Sequence, residues 1–123
     1  MIRLINETIM ANAQTAPQPE SESRKQDIEA AFFQLRGQWT EDTIMSSNLV
    51  ATITHPAYYS IIGLGRAALP LILDDLKNGG GPWFVALQAI TRENLASPEN
   101  ATDARKLRDD WLAWGRAHGY LSA

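Results

Sequence analysis

The residues that could carry out acid–base or metal chemistry are few and far apart in this chain. His55 and His118 are the only histidines, and neither is followed at i+3 or i+4 by the second histidine or glutamate of a helical metal pair. His55 precedes Pro56, so we expect its side chain to cap the next helix, with a general base as the alternative. We expect His118 near a helix C-terminus, where the helix dipole favours a cation.

The acidic and glycine-rich stretches also have ordinary structural explanations. Asp74-Asp75 and Asp109-Asp110 are adjacent pairs, whose side chains diverge by about 100° on a helix and cannot share one proton or metal ion. Gly79–Gly81 lacks the following lysine and hydroxyl residue of a phosphate loop, which favours a hinge or a turn. The chain has no cysteine, which excludes thiolate zinc sites and thiol catalysis. We therefore predict no catalytic, cofactor or metal site.

Aromatic side chains are the better candidates for contact with a partner. Adjacent tyrosines on a helix cannot both face the core, so either Tyr58 or Tyr59 is expected at the surface or in an interface. The tryptophans lie on apolar stripes that predict core packing, although Trp114 or the nearby Tyr120 could instead anchor a partner. The predicted partner-binding residues are Tyr58, Tyr59, Trp114 and Tyr120.

Cations in the C-terminal region give an alternative function. The candidate nucleic-acid contacts are Arg105, Lys106, Arg108 and Arg116. Aspartates at positions 103, 109 and 110 interleave with them, which favours a solvent-exposed helix with salt bridges. A formal charge of -3 and a pI near 5.3 remove the broad attraction for phosphate. Nucleic acid is therefore the less favoured partner.

Length and composition predict one globular domain with an N-terminal tail. A chain of 123 residues with 45% hydrophobic residues can bury enough surface to fold without metal or disulfide. Residues 1–24 are predicted to be a flexible tail, in which Met1–Met10 could form a short amphipathic helix, and residues 25–123 the domain. Asn6–Thr8 interrupts any signal-peptide core, and no apolar run approaches about 20 residues, so we expect a cytoplasmic protein without a membrane span.

Apolar spacing predicts an all-α fold, a compact bundle of five or six helices. Ile28, Phe32, Leu35 and Trp39 recur at i, i+4, i+7 and i+11, and later stripes repeat the pattern without any sustained alternation of period two. We expect the first helix to begin near Ser23. We expect the second helix to have its N-cap at Ser46 or Ser47, and the third to start at Pro56 and to end at a left-handed Gly63 or Gly65. We expect a later helix to start at Pro82 and the last helix to cover 102–118.

Two resemblances accompany this pattern. A glycine-bearing turn at Ile62–Gly65 is followed by a proline-containing leucine helix at Ala67–Leu76 and an alanine-rich helix at Trp83–Ile90. Together these three segments, in the centre of the chain, resemble one HEAT-type helical repeat. The motifs HPAY, IIGLG, ALPLIL, WFxALxAIT and WLxWG also resemble a family of short uncharacterised bacterial proteins. The proline that usually lies two residues after the asparagine of AIT-x-x-Asn is absent after Asn94. The resemblance implies kinship and brings no established activity.

These observations favour a non-catalytic protein-binding module. We expect a small helical adaptor that holds a protein partner or a second copy of itself, and the resemblance implies an antitoxin or immunity-type partner of a neighbouring gene product. A DNA-binding regulator that uses the C-terminal helix is the alternative. An enzyme, with a concave site around His55, is the third reading.

Overall fold

A computed structural model describes residues 19–121, with side chains from residue 23 onward. The tail over residues 1–18 and its amphipathic segment Met1–Met10 lie outside the described residues. The elements, in chain order, are α1 (Pro19–Thr43), α2 (Leu49–Ile53), α3 (Pro56–Gly63), a 3₁₀ helix (Gly65–Ala68), α4 (Leu69–Lys77), α5 (Phe84–Thr91) and α6 (Ala104–Ala117). The described residues contain six α-helices and no strand, which confirms the all-α prediction.

The longest helix, α1, begins earlier than predicted. Residues 19–24, which we assigned to the tail, are helical. Pro19 suits a first helical position, because its fixed φ is compatible with a helix. Phe32 and Trp39 of the predicted stripe are buried, at 0% and 3% exposed, and they attach α1 to the rest of the core.

Local capping fixes the boundaries of the short helices. Asn48, rather than Ser46 or Ser47, caps α2, because its side chain accepts the Ala51 N–H, while Ser46 Oγ accepts the N–H of Asn48. Gly65 has the left-handed φ of 76° after α3, as expected for one of the two glycines there.

The starts of the last two helices also differ slightly from the prediction. Helix α5 begins at Phe84 and not at Pro82, which stays outside the helix and uses its carbonyl to accept a hydrogen bond from Tyr58. Asp103 caps α6, because its side chain accepts the N–H groups of Arg105 and Lys106, so this helix starts after the predicted position 102. Gly119, with a φ of 79°, follows its C-terminus.

The helices pack as two linked groups around one core. Helix α1 packs chiefly on α3, α3 packs on α5, and α4 packs on α6. The buried cluster draws residues from α1, α3, α4, α5 and α6 and contains all four tryptophans, as their positions predicted. Among the described helices, none is by itself long and apolar enough to cross a bilayer. Helix α3 and the segment Gly65–Lys77 together have the length and composition of a membrane span, and the two are bent by 107° relative to each other.

Candidate protein-binding surface

The side chain of His55 is fully engaged at the start of α3. Its Nδ1 accepts the Ala57 N–H at 3.0 Å, so the predicted capping role is confirmed. Its Nε2 lies 2.9 Å from Asp42 Oδ2, at the end of α1. Because Nδ1 is an acceptor, the neutral ring carries its proton on Nε2 and donates it to Asp42. This tautomer leaves no ring nitrogen free to take a proton from a substrate.

Tyr58 lies on the buried face of α3, inside an aromatic cluster. Its ring stacks on Trp83 with centroids 5.5 Å apart and lies 5.4 Å from the ring of Trp39. The hydroxyl donates to the Pro82 carbonyl at 2.7 Å and accepts the Ala86 N–H at 3.0 Å. Burial raises the pKa of Tyr58 from 10.0 to about 12, and the hydrogen bond from Ala86 offsets part of that rise.

The prediction that Tyr58 contacts a partner is therefore wrong for this structure. Its side chain is 0% exposed, because the ring belongs to the core and the hydroxyl satisfies two backbone groups. Tyr59 is 57% exposed, so the expectation that only one of the two tyrosines faces the core is confirmed. Tyr59 remains a predicted contact residue.

Asp75 holds the loop between α4 and α5 against α1. Its Oδ2 accepts the Trp83 indole N–H at 2.8 Å, and its Oδ1 lies 2.6 Å from Arg36 Nε. The Arg36 Nε–H does not point along that line and has no hydrogen-bond partner, so this contact is an ion pair without a directed hydrogen bond. The side chain of Asp75 is only 13% exposed, so this carboxylate belongs to the packing between the loop and α1.

The glycine run supports the turn interpretation and explains why glycine is needed. Gly79 has a left-handed φ of 85°. A Cβ on Gly80 would collide with the carboxylate of Asp75, and a Cβ on Gly81 would lie 2.5 Å from the ring of Trp39. The loop backbone therefore closes over α1 at van der Waals distance.

Trp114 and Tyr120, the two predicted anchors near the C-terminus, contact each other. Their rings stack with centroids 5.6 Å apart, and Trp114 also stacks on His118 at 4.2 Å. The Trp114 indole N–H donates to Glu93 Oε2 at 3.0 Å, and the ring is 8% exposed. His118 follows α6 at its C-terminus, as predicted. Trp114 is thus largely covered by its own chain, while Tyr120 is partly exposed.

Two of the four candidate nucleic-acid cations on α6 are paired with acids. Lys106 Nζ lies 3.5 Å from Asp110 Oδ1, and Arg108 lies 3.4 Å from Asp109. Arg105 and Arg116 are exposed and have no such partner among residues 23–121. The interleaved aspartates therefore reduce the positive field of this helix, as the sequence indicated.

Sequence analysis missed the most conspicuous surface feature, a run of exposed apolar side chains between α1 and α2. We call residues 44–50 the apolar segment. The exposed fractions are 72% for Ile44, 93% for Met45, 59% for Leu49 and 66% for Val50. In the sequence, Ser46, Ser47 and Asn48 separate the pair Ile44-Met45 from the pair Leu49-Val50, so no continuous apolar run is visible there.

A cavity adjoins the apolar segment. Its volume is about 440 Å³, and its lining combines Ile44 and Leu49 with Thr40, Thr52, Arg36 and Gly81. A second groove, of about 390 Å³, lies between the start of α1 and α4. Neither is lined by His55, and the described residues contain no group of three or more potential metal ligands.

Asn100 is a second residue that sequence analysis passed over. Only 2% of it is exposed, and its amide group accepts the Ser97 N–H and donates to the Leu95 carbonyl and Asp110. It therefore anchors the loop between α5 and α6.

No family model, curated protein or solved structure matches the chain.

Proposed function

We propose that this chain is a non-catalytic protein-binding module, a small helical adaptor. The observation that carries the proposal is the apolar segment, in which four large apolar side chains within seven residues are exposed and two of them, Ile44 and Leu49, line a cavity. Clustered exposed apolar groups lower the free energy of a complex when a partner covers them, and they mark contact sites on proteins. The arrangement at His55 supports the same conclusion, because both ring nitrogens serve the fold.

A neighbouring gene product is the partner class that we favour. The resemblance of the sequence motifs to those of short bacterial proteins supports an antitoxin or immunity-type role in the cytoplasm, where the chain would hold one specific protein. Four side chains supply less than the roughly 800 Å² that each partner buries in a standard interface. The contact surface must therefore extend beyond the apolar segment onto an adjacent element.

The proposal is tested by affinity purification of the tagged chain from its own cells at native expression, followed by mass spectrometry. We expect one protein at a stoichiometric level with the natural chain, and its loss from the double variant Ile44→Ser, Leu49→Ser. Val85→Ser is the matched control, because Val85 is another exposed apolar residue, at 46%, outside the apolar segment. Recovery of the bait alone would contradict the proposal.

A further inference from the structure

The groove of about 390 Å³ between the start of α1 and α4 lies at the other end of α1 from the apolar segment. We call it the α1–α4 groove. Its apolar lining consists of Ile28, Ala67, Pro70 and Leu71. The charged residues of the lining are Arg24, Lys25 and Glu29. The groove therefore combines an apolar patch with charges of both signs.

The packing of α1 is incomplete at this groove. Phe32 and Trp39 of the α1 stripe are buried, and Leu35 packs against the buried cluster. Ile28, the first member of the same stripe, is only partly buried and does not pack against that cluster. The apolar stripe of α1 therefore continues beyond the core that residues 23–121 form, and it ends in the α1–α4 groove.

The chain itself supplies an apolar stripe close to this groove. We call residues 1–10 the N-terminal segment. In its sequence, Ile2, Ile5 and Ile9 recur at spacings of three and four, which predicts one apolar stripe on a helix. On such a helix Leu4 and Thr8 fall on another side. The stripe of isoleucines matches the apolar lining of the groove in chemistry.

The connection to α1 is long enough for the N-terminal segment to reach the groove. Residues 11–18 separate the segment from Pro19, where α1 begins, and these eight residues span up to about 26 Å when extended. Ile28 lies nine positions after Pro19, about 14 Å along the helix axis. The segment can therefore turn back along α1 and lie against Ile28.

The short connection also favours this segment over an outside partner. A short linker gives an effective concentration of about 1 mM, so that even a weak contact is formed. The charges are compatible, because the segment carries Arg3 and Glu7 and the groove offers charges of both signs. Exposed ion pairs contribute little to such a contact, so burial of the isoleucines is its main source of free energy.

We infer that the N-terminal segment of this chain docks in the α1–α4 groove, with its three isoleucines against Ile28 and Leu71. Any outside partner then enters the groove only by displacing the segment. This inference goes beyond the proposed function, because the α1–α4 groove shares no lining residue with the cavity beside the apolar segment.

Disulfide formation between introduced cysteines tests where the segment docks, since the natural chain has no cysteine. Asn6→Cys, beside the isoleucine stripe, is combined with Ala67→Cys in the groove. The matched control combines it with Ala30→Cys, which is exposed two positions after Ile28 and does not line the groove. We expect the intramolecular disulfide to form about tenfold faster at position 67, because docking raises the local concentration of the thiol. Equal rates, measured by mass spectrometry, would overturn the inference.

Charges placed on the stripe test whether the isoleucines cause the docking. Ile5→Asp with Ile9→Asp puts two charges on the stripe, and Leu4→Asp with Thr8→Asp puts the same charges on another side of the segment. We expect the first pair to lower the melting temperature of the full chain by about 2–5 °C and the second to leave it unchanged. The first pair should also slow the disulfide at position 67 to the rate at position 30. Equal effects of the two pairs would contradict docking through the stripe.

A second copy of the chain is the other possible occupant. Disulfide-linked dimers in place of the intramolecular bond, formed at a rate that rises with protein concentration, would place the segment in the groove of another copy and overturn the inference. Failure of these tests leaves the proposed function standing, since that function is tested by recovery of a partner and by substitutions at Ile44 and Leu49.

Discussion

At the scale of single residues, buried polar groups decide how the chain is arranged. The Tyr58 hydroxyl satisfies one backbone acceptor and one backbone donor on the loop and first turn of α5. Asn100 does the same for the loop before α6. Each of these groups stabilises the fold because its partners would otherwise be buried without a hydrogen bond.

Tyr58→Phe keeps the ring and removes only the hydroxyl. We expect a loss of about 1–3 kcal/mol in the free energy of unfolding, since the Pro82 carbonyl and the Ala86 N–H both lose their partner. Urea denaturation followed by circular dichroism measures the change. Tyr59→Phe is the control, because Tyr59 is 57% exposed and is expected to change stability little.

The same hydroxyl gives the fold a dependence on alkaline pH. The folded pKa of Tyr58 is about 12 against 10.0 for the free side chain, so the unfolded chain loses this proton first. The contribution is fully present below pH 10 and is lost as the pH rises towards 12, by about 2–3 kcal/mol in total. Stability measured between pH 9 and 12 should fall less steeply in Tyr58→Phe. Parallel curves for the two proteins would contradict the assignment.

At the scale of elements, the loop between α4 and α5 shows how a turn can become part of the packing. Its glycines lie against Asp75 and Trp39, so the loop both reverses the chain and closes one wall of the core. The backbone N–H of Gly80 also donates to the Asp75 carbonyl at 2.7 Å. The loop is therefore expected to be rigid where glycine-rich loops are often mobile.

Gly80→Ala tests this close packing. The new Cβ would lie against the Asp75 carboxylate and 2.7 Å from the Asp75 backbone oxygen, so the loop must shift. We expect destabilisation of about 1–3 kcal/mol in urea titration, the usual cost of overpacking. Gly63→Ala is the matched control, because a Cβ there meets nothing within 4 Å and should not destabilise. Equal free energies of unfolding for the two variants would show that the loop can shift without loss of stability.

At the scale of the whole molecule, one aromatic cluster joins elements that are distant in sequence. Trp83, just before α5, lies 4.9 Å from the ring of Trp39, 5.5 Å from Tyr58 and 5.9 Å from Phe32, measured between centroids. It thus connects α1, α3 and α5 through one side chain. Its indole N–H binds Asp75 and extends the connection to α4.

Trp83→Ala is therefore expected to weaken the entire fold. Removal of this fully buried ring should cost about 3–5 kcal/mol, a large part of the roughly 5–15 kcal/mol that stabilises a domain. Chemical denaturation followed by circular dichroism measures the loss. Phe33→Ala is the matched control, because Phe33 is a large aromatic residue that is 58% exposed. A small effect of Trp83→Ala would mean that the core consists of independent parts.

Sequence alone determined the class of fold and several local features. Apolar residues every three or four positions indicate helices because each stripe must be buried on one side, and Ile28, Phe32 and Trp39 illustrate this. The cap at His55 and the turn at Gly79–Gly81 also follow from neighbouring residues, since caps and turns form over a few positions. Proteins without chemical motifs can be assigned a fold class in this way.

Tertiary structure alone decided which side chains are buried, paired or left open to a partner. Nothing local distinguishes Tyr58 from Tyr59, and only the packing of α3 on α1 and α5 selects Tyr58 for the core. The contact of His55 with Asp42 likewise depends on the packing of α3 on α1. These features depend on distances between residues far apart in the chain, which hydrophobic periodicity along one helix does not contain.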